Sequence, residues 1–120
     1  MEGYQKLLAW QTAYQLTKEV YILTRHFPME ERFGITPQMR RSAISIPSNL
    51  AEGYRRNSRK EWKHFLSIAY GSASELETQL SIAKDVALAP MENFYVAEEL
   101  LARTLRLING LTKKIRQENI

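Results

Sequence analysis

Arg59 and His64 stand five residues apart in a stretch that also holds Tyr54, Arg55, Arg56, Lys60, Trp62 and Lys63. An imidazole near neutral pKa can move a 2′-hydroxyl proton, and a guanidinium can stabilise a pentavalent phosphate. The pair resembles the Arg-x4-6-His motif of bundle-shaped, metal-independent ribonucleases, so it is the strongest catalytic candidate in the chain. Ten arginines and two histidines in 120 residues make such a spacing common by chance, and the expectation is a protein that is not an enzyme. Glu61-x-x-His64 is one half of a di-iron bundle pattern, which needs two such turns and two further glutamates. His26 has Leu23 three residues before it, so no metal site is expected. The chain contains no cysteine, which excludes a thiol nucleophile, a thiolate zinc site and a cysteine-held iron–sulfur cluster. No nucleophile elbow, phosphate-binding loop or dinucleotide fingerprint appears, and no cofactor is expected.

Five cations with two aromatic rings between them have a different use. Arg55, Arg56, Arg59, Lys60 and Lys63 can meet phosphates while rings or guanidinium planes stack on unpaired bases. They are the candidate nucleic-acid-binding residues. The competing reading is a solvated turn with Tyr54 and Trp62 in the core. Charge is segregated along the chain: residues 40–63 carry seven basic and two acidic side chains, and residues 64–102 carry one basic and six acidic ones. Residues 103–120 turn basic again, with five cations against Glu118. Such sorting predicts an anionic partner, self-assembly between unlike surfaces, or both.

Helices must position these groups. Trp62, Leu66, Ala69, Ala73, Leu76, Leu80, Ala83 and Ala87 recur in alternating steps of four and three, the spacing of one helical face and of the seam in left-handed bundles. Ser58 and Glu61 form a capping box at its start, so a helix is predicted over residues 58–87. A first helix over residues 4–27 carries two stripes, one of Leu7, Trp10, Tyr14, Thr17 and Tyr21, the other of Ala13, Leu16, Val20, Leu23 and Phe27. So wide an apolar face predicts more than one neighbour. A second helix is predicted from Thr36 as N-cap with Pro37 after it. Pro47 should kink or break it, since proline leaves the carbonyl of Ala43 without its donor; Ser45, Ser48 and Asn49 are the nearby polar groups able to respond. Arg40 and Arg41 lie at the far end of that helix from the basic turn, placed to serve a separate surface and to pair with Glu75 and Glu77 of the same or another subunit. A last helix is predicted over residues 92–116. No segment alternates with period two. Short links favour antiparallel neighbours, so the predicted fold is all-α: one domain over residues 1–120, an up-down-up-down four-helix bundle. At 44% hydrophobic and 25% charged residues, with a net charge of +4, the composition is that of an ordinary globular chain. Charge-free runs such as residues 7–17 fall short of the roughly 20 residues that span a bilayer. No membrane association is expected, and without the layout of a signal peptide the expected location is cytoplasmic.

Residues 40–53, Arg-Arg-Ser-Ala-Ile-Ser-Ile-Pro-Ser-Asn-Leu-Ala-Glu-Gly, resemble the Arg-Arg-Ala-x-x-Ser-x-Pro-Ser-Asn-Ile-Ala-Glu-Gly motif of bacterial proteins encoded in intervening sequences of 23S rRNA genes. Residues 65–80, the opening Leu-x-x-Trp-Gln-x-Ala and the closing Leu-Ile-Asn-Gly-Leu-Thr-Lys agree with that family as well. The resemblance implies a four-helix bundle that assembles as a homopentamer. It also implies kinship with the accessory variability determinant of diversity-generating retroelements, which engages a reverse transcriptase and nucleic acid. The expected function is a non-enzymatic, homo-oligomeric, nucleic-acid-associated protein binding RNA or DNA. An adaptor docking a polymerase-type protein is the first alternative, and the ribonuclease reading through Arg59 and His64 is the second.

Overall fold

Four helices account for most of the chain in the computed structural model, which describes residues 3–118. They are α1 (Leu8–Thr24), α2 (Ile35–Tyr54), α3 (Arg59–Asp85) and α4 (Tyr95–Glu118), with single 3-10 turns at Gly3–Lys6, Met29–Glu31 and Met91–Phe94. No strand occurs among the described residues. Neighbours run antiparallel in a bundle measuring 49 × 24 × 20 Å. Contacts between successive helices follow the antiparallel course. Thr17 on α1 reaches Ala43 on α2, Ser42 and Ser45 on α2 reach Glu75 and Ser72 on α3, and Lys84 on α3 meets Glu98 on α4.

The 4-3 spacing on α3 gives the core directly. Leu66, Ala69, Ala73, Leu76, Leu80 and Ala83 are all buried, and Trp62 packs against them from the edge. Ala87 leaves the seam. Its φ of 58° is left-handed and the helix ends before it at Asp85, so its side chain is exposed. Ser58 caps α3 as expected, its hydroxyl accepting from the Glu61 N–H at 3.1 Å. On α1 only the Ala13, Leu16, Val20, Leu23 stripe is buried. The other stripe faces the α1–α2 groove, and Tyr14 is 46% exposed. The predicted first helix is also shorter at both ends. Leu7 is extended, and after Thr24 the chain turns so that Phe27 folds back onto Phe94, with ring centres 6.2 Å apart.

For α2 the cap expectation is corrected, and the expectation of a kink or break at Pro47 is narrowed to exclude the break. Thr36 is not the N-cap: the helix starts two residues earlier, at Ile35 with Gly34 as its cap, and Thr36 is buried inside the first turn. The 3-10 turn at Met29–Glu31 brings the Glu31 carboxylate to 3.5 Å from the Ile35 nitrogen, so the preceding turn offers an acceptor to the first N–H of the helix. Nor is α2 broken at Pro47; it is helical on both sides of it. The carbonyl left without a donor by Pro47 is that of Ala43, and the hydroxyl of Thr17 on α1 donates to it at 3.1 Å. That hydroxyl also lies 2.8 Å from the Ala13 carbonyl. Ala13 already accepts a helical N–H, so Ala43 is the acceptor in need. Asn49 stays local, donating to the carbonyl and hydroxyl of Ser45.

Candidate nucleic-acid interface

The link from α2 to α3 is only Arg55 to Ser58, and Gly53 makes so tight a passage possible. A Cβ on Gly53 would lie 2.6 Å from the Phe65 Cβ and 2.6 Å from the Trp62 ring. Without that atom, the start of α3 packs directly on the last turn of α2. Tyr54 then meets Trp62 edge-on at 6.1 Å. Trp62 is half-buried and Tyr54 is 39% exposed, so the pair closes this end of the core without being wholly within it.

This geometry spreads the five candidate cations around the turn. Arg55 caps α2 and lays its guanidinium 5.0 Å above the ring of Tyr4. Arg56 is exposed but engaged by neighbours on its own end of the bundle. It pairs with Glu52 at 2.8 Å and with Glu61 at 3.7 Å, and it lies 5.0 Å above the Phe65 ring. Two neighbouring carboxylates make Arg56 a structural cation as well as a candidate contact. Arg59 and Lys60 are exposed on the first turn of α3, and Lys63 is half-buried one turn later. Arg40 does not extend toward Glu75 or Glu77. It donates to the Thr24 hydroxyl at 2.8 Å and covers the Tyr21 ring at 4.5 Å, while the partner shown for Glu75 is the Ser42 hydroxyl at 3.2 Å.

The antiparallel course adds residues that the turn alone does not contain. The last turns of α4, with Lys113, Lys114 and Arg116 exposed, run back toward the end where α2 hands over to α3. Glu30, Glu31, Asp85 and Glu92 gather at the opposite end, in or beside the α1–α2 and α3–α4 links. One end is therefore basic, built from two segments far apart in the sequence, while the opposite end is mixed, because Arg25, Arg32, Arg40 and Lys84 lie there with these carboxylates. His64 is exposed with its ring edge toward Phe65 at 5.3 Å. Five residues of α-helix rotate by about 140°, so Arg59 and His64 leave α3 on different faces. Glu61 serves the cap and Arg56. Among the described residues no three His, Asp or Glu side chains are grouped so as to hold a metal ion, and no helix is long and apolar enough to cross a membrane.

An all-α bundle with one basic end is the class of protein that these features define. The family model described as 23S rRNA-intervening sequence protein matches residues 5–110, and the chain belongs to that family. No curated protein matches it.

Proposed function

We propose that this protein is a non-enzymatic, homo-oligomeric, nucleic-acid-associated protein that contacts RNA with the basic end of its bundle. The observation that carries the reading is the meeting of two basic segments at one end: the α2–α3 turn with Arg55, Arg59, Lys60 and Lys63, and the α4 terminus with Lys113 and Lys114. Membership of a family named for 23S rRNA intervening sequences supports a nucleic-acid context. Self-association has apolar surface available at the other end. Phe33, Val86, Met91 and Val96 are each more than half exposed there, and by family resemblance the assembly is a pentamer. A ring would repeat a weak basic patch several times and raise avidity without new contacts. The divergent directions of Arg59 and His64 support binding over catalysis.

Titration of a labelled RNA at two salt concentrations tests the reading. Phosphate-driven affinity falls steeply as salt rises, and Lys60→Glu with Lys63→Glu weakens binding and flattens that dependence. Affinity indifferent to salt and to these substitutions would leave the adaptor reading in its place. Cleavage of the RNA that stops in His64→Ala would establish the ribonuclease instead.

A further inference from the structure

Three aromatic rings in contact, with a cation at each end of the series, run along the face of α1 that is not in the core. The guanidinium of Arg55 lies 5.0 Å above Tyr4, Tyr4 meets Trp10 edge-on at 5.2 Å, Trp10 stacks on Tyr14 at 5.0 Å with 25° between the ring planes, and the Lys18 ammonium lies 5.2 Å above Tyr14. Trp10, Tyr14 and Lys18 are four residues apart, so one helical face carries them. Across from them α2 presents Ile44, Ser48 and Ala51, and the small side chains of the last two leave a groove of about 730 Å³ between the helices. From Trp10 to Lys18 the face extends about 12 Å, the length of a few stacked bases. The charged residues lining the groove are Lys18 and Arg25, both basic. A ligand that suits it is flat and apolar in its body and anionic at its edge.

We propose that this groove is a stacking subsite for the unpaired bases of a single-stranded nucleic acid. It rests on the reading of the basic end as a nucleic-acid contact, because Arg55 belongs to both. Every base has a π-face, so bases can stack on the outward faces of such rings without regard to sequence. The bases of a duplex are already stacked on each other and have no face to offer. A cation held over a ring keeps its N–H edges free, so Arg55 and Lys18 can meet phosphates while the rings meet bases. Tyr14 is 46% exposed, with Trp10 stacked on its ring and the exposed Lys18 side chain over it; a base stacks on Tyr14 when the Lys18 ammonium swings from the ring to a phosphate.

Fluorescence anisotropy with a labelled oligouridylate and a duplex of equal length, in the same salt, tests the proposal. Tyr14→Ala and Tyr14→Phe are compared with the wild type, and light scattering follows the mass of each. The single strand should bind more tightly than the duplex. Tyr14→Ala should lose about tenfold on the single strand, within what one base–aromatic stack supplies, with duplex binding unchanged and Tyr14→Phe near wild type. Tyr14→Leu, which keeps apolar bulk at the groove but removes the ring, repeats the test should Tyr14→Ala fail to fold. Equal binding of single strand and duplex, untouched by Tyr14→Ala, overturns the stacking subsite and leaves the basic end standing. Failure to bind either nucleic acid removes both readings. A fall in assembly mass in Tyr14→Ala means that a second copy covers the groove, which also overturns the proposal.

Discussion

Thr17 and Pro47 act as one unit although 30 positions separate them in the sequence. Proline removes the donor for the Ala43 carbonyl, and the Thr17 hydroxyl replaces it from the neighbouring helix. Thr17→Val keeps the shape and removes the donor, so it should cost about 1–3 kcal/mol in chemical denaturation, the usual penalty for a polar group left without a partner. In a Pro47→Ala background the backbone N–H of residue 47 returns and the penalty of Thr17→Val should shrink. A double-mutant cycle showing simple additivity would separate the two residues. Gly53 is the other residue whose role is set by what touches it. Gly53→Ala places a methyl group 2.6 Å from the Phe65 Cβ and the Trp62 ring. That overpacking should destabilise the bundle by about 1–3 kcal/mol, and a lowered denaturation midpoint at unchanged slope checks it. Proline and glycine were legible at these positions; the hydroxyl and the indole that answer them were not, because both come from other helices.

At the scale of the elements, α3 was the most legible. Its register needs nothing beyond the period of an α-helix, and Leu66 to Ala83 are buried as the 4-3 spacing requires. Leu76, wholly buried at its centre, should cost about 2–5 kcal/mol when cut to alanine, and Leu76→Arg should abolish the cooperative melting transition. The first helix was less legible because both of its stripes are rich in large side chains. Periodicity marks a face as apolar but does not say which of two adjacent faces meets the core. The tyrosines and the tryptophan carry polar atoms and tolerate partial exposure, which is consistent with the Trp10–Tyr14 stripe being the outer one but does not select it. At the α3–α4 end, Lys84 and Glu98 pair at 3.1 Å with about a third of each side chain exposed. Their coupling should be no more than about 1 kcal/mol and should weaken in salt; a cycle with Lys84→Met and Glu98→Gln at two ionic strengths measures it.

Over the whole molecule, the turn at residues 55–63 and the α4 terminus lie half a chain apart in sequence and share one end of the bundle. Lys113→Glu with Lys114→Glu should therefore weaken RNA binding even though neither residue belongs to the recognisable basic turn. Each lost phosphate contact should lower the slope of log affinity against log salt by about one, so the double variant should lose about two. Reversal of charge at Glu30 and Glu31, at the far end, should leave that slope unchanged. A slope that responds to the far end and not to Lys113 and Lys114 would place the interface elsewhere.

The sequence by itself determined the class of fold, the direction of the chain, the cap at Ser58, the core face of α3 and the location of the cationic turn. Each of these depends on interactions between residues close in the chain, where periodicity and local hydrogen bonding decide. Only the tertiary structure decided which stripe of α1 stays outside, how α2 passes Pro47 unbroken, and that two distant basic segments and a series of stacked rings come together. Those outcomes depend on which helix is packed beside which, and contacts across helices leave no period in a single sequence.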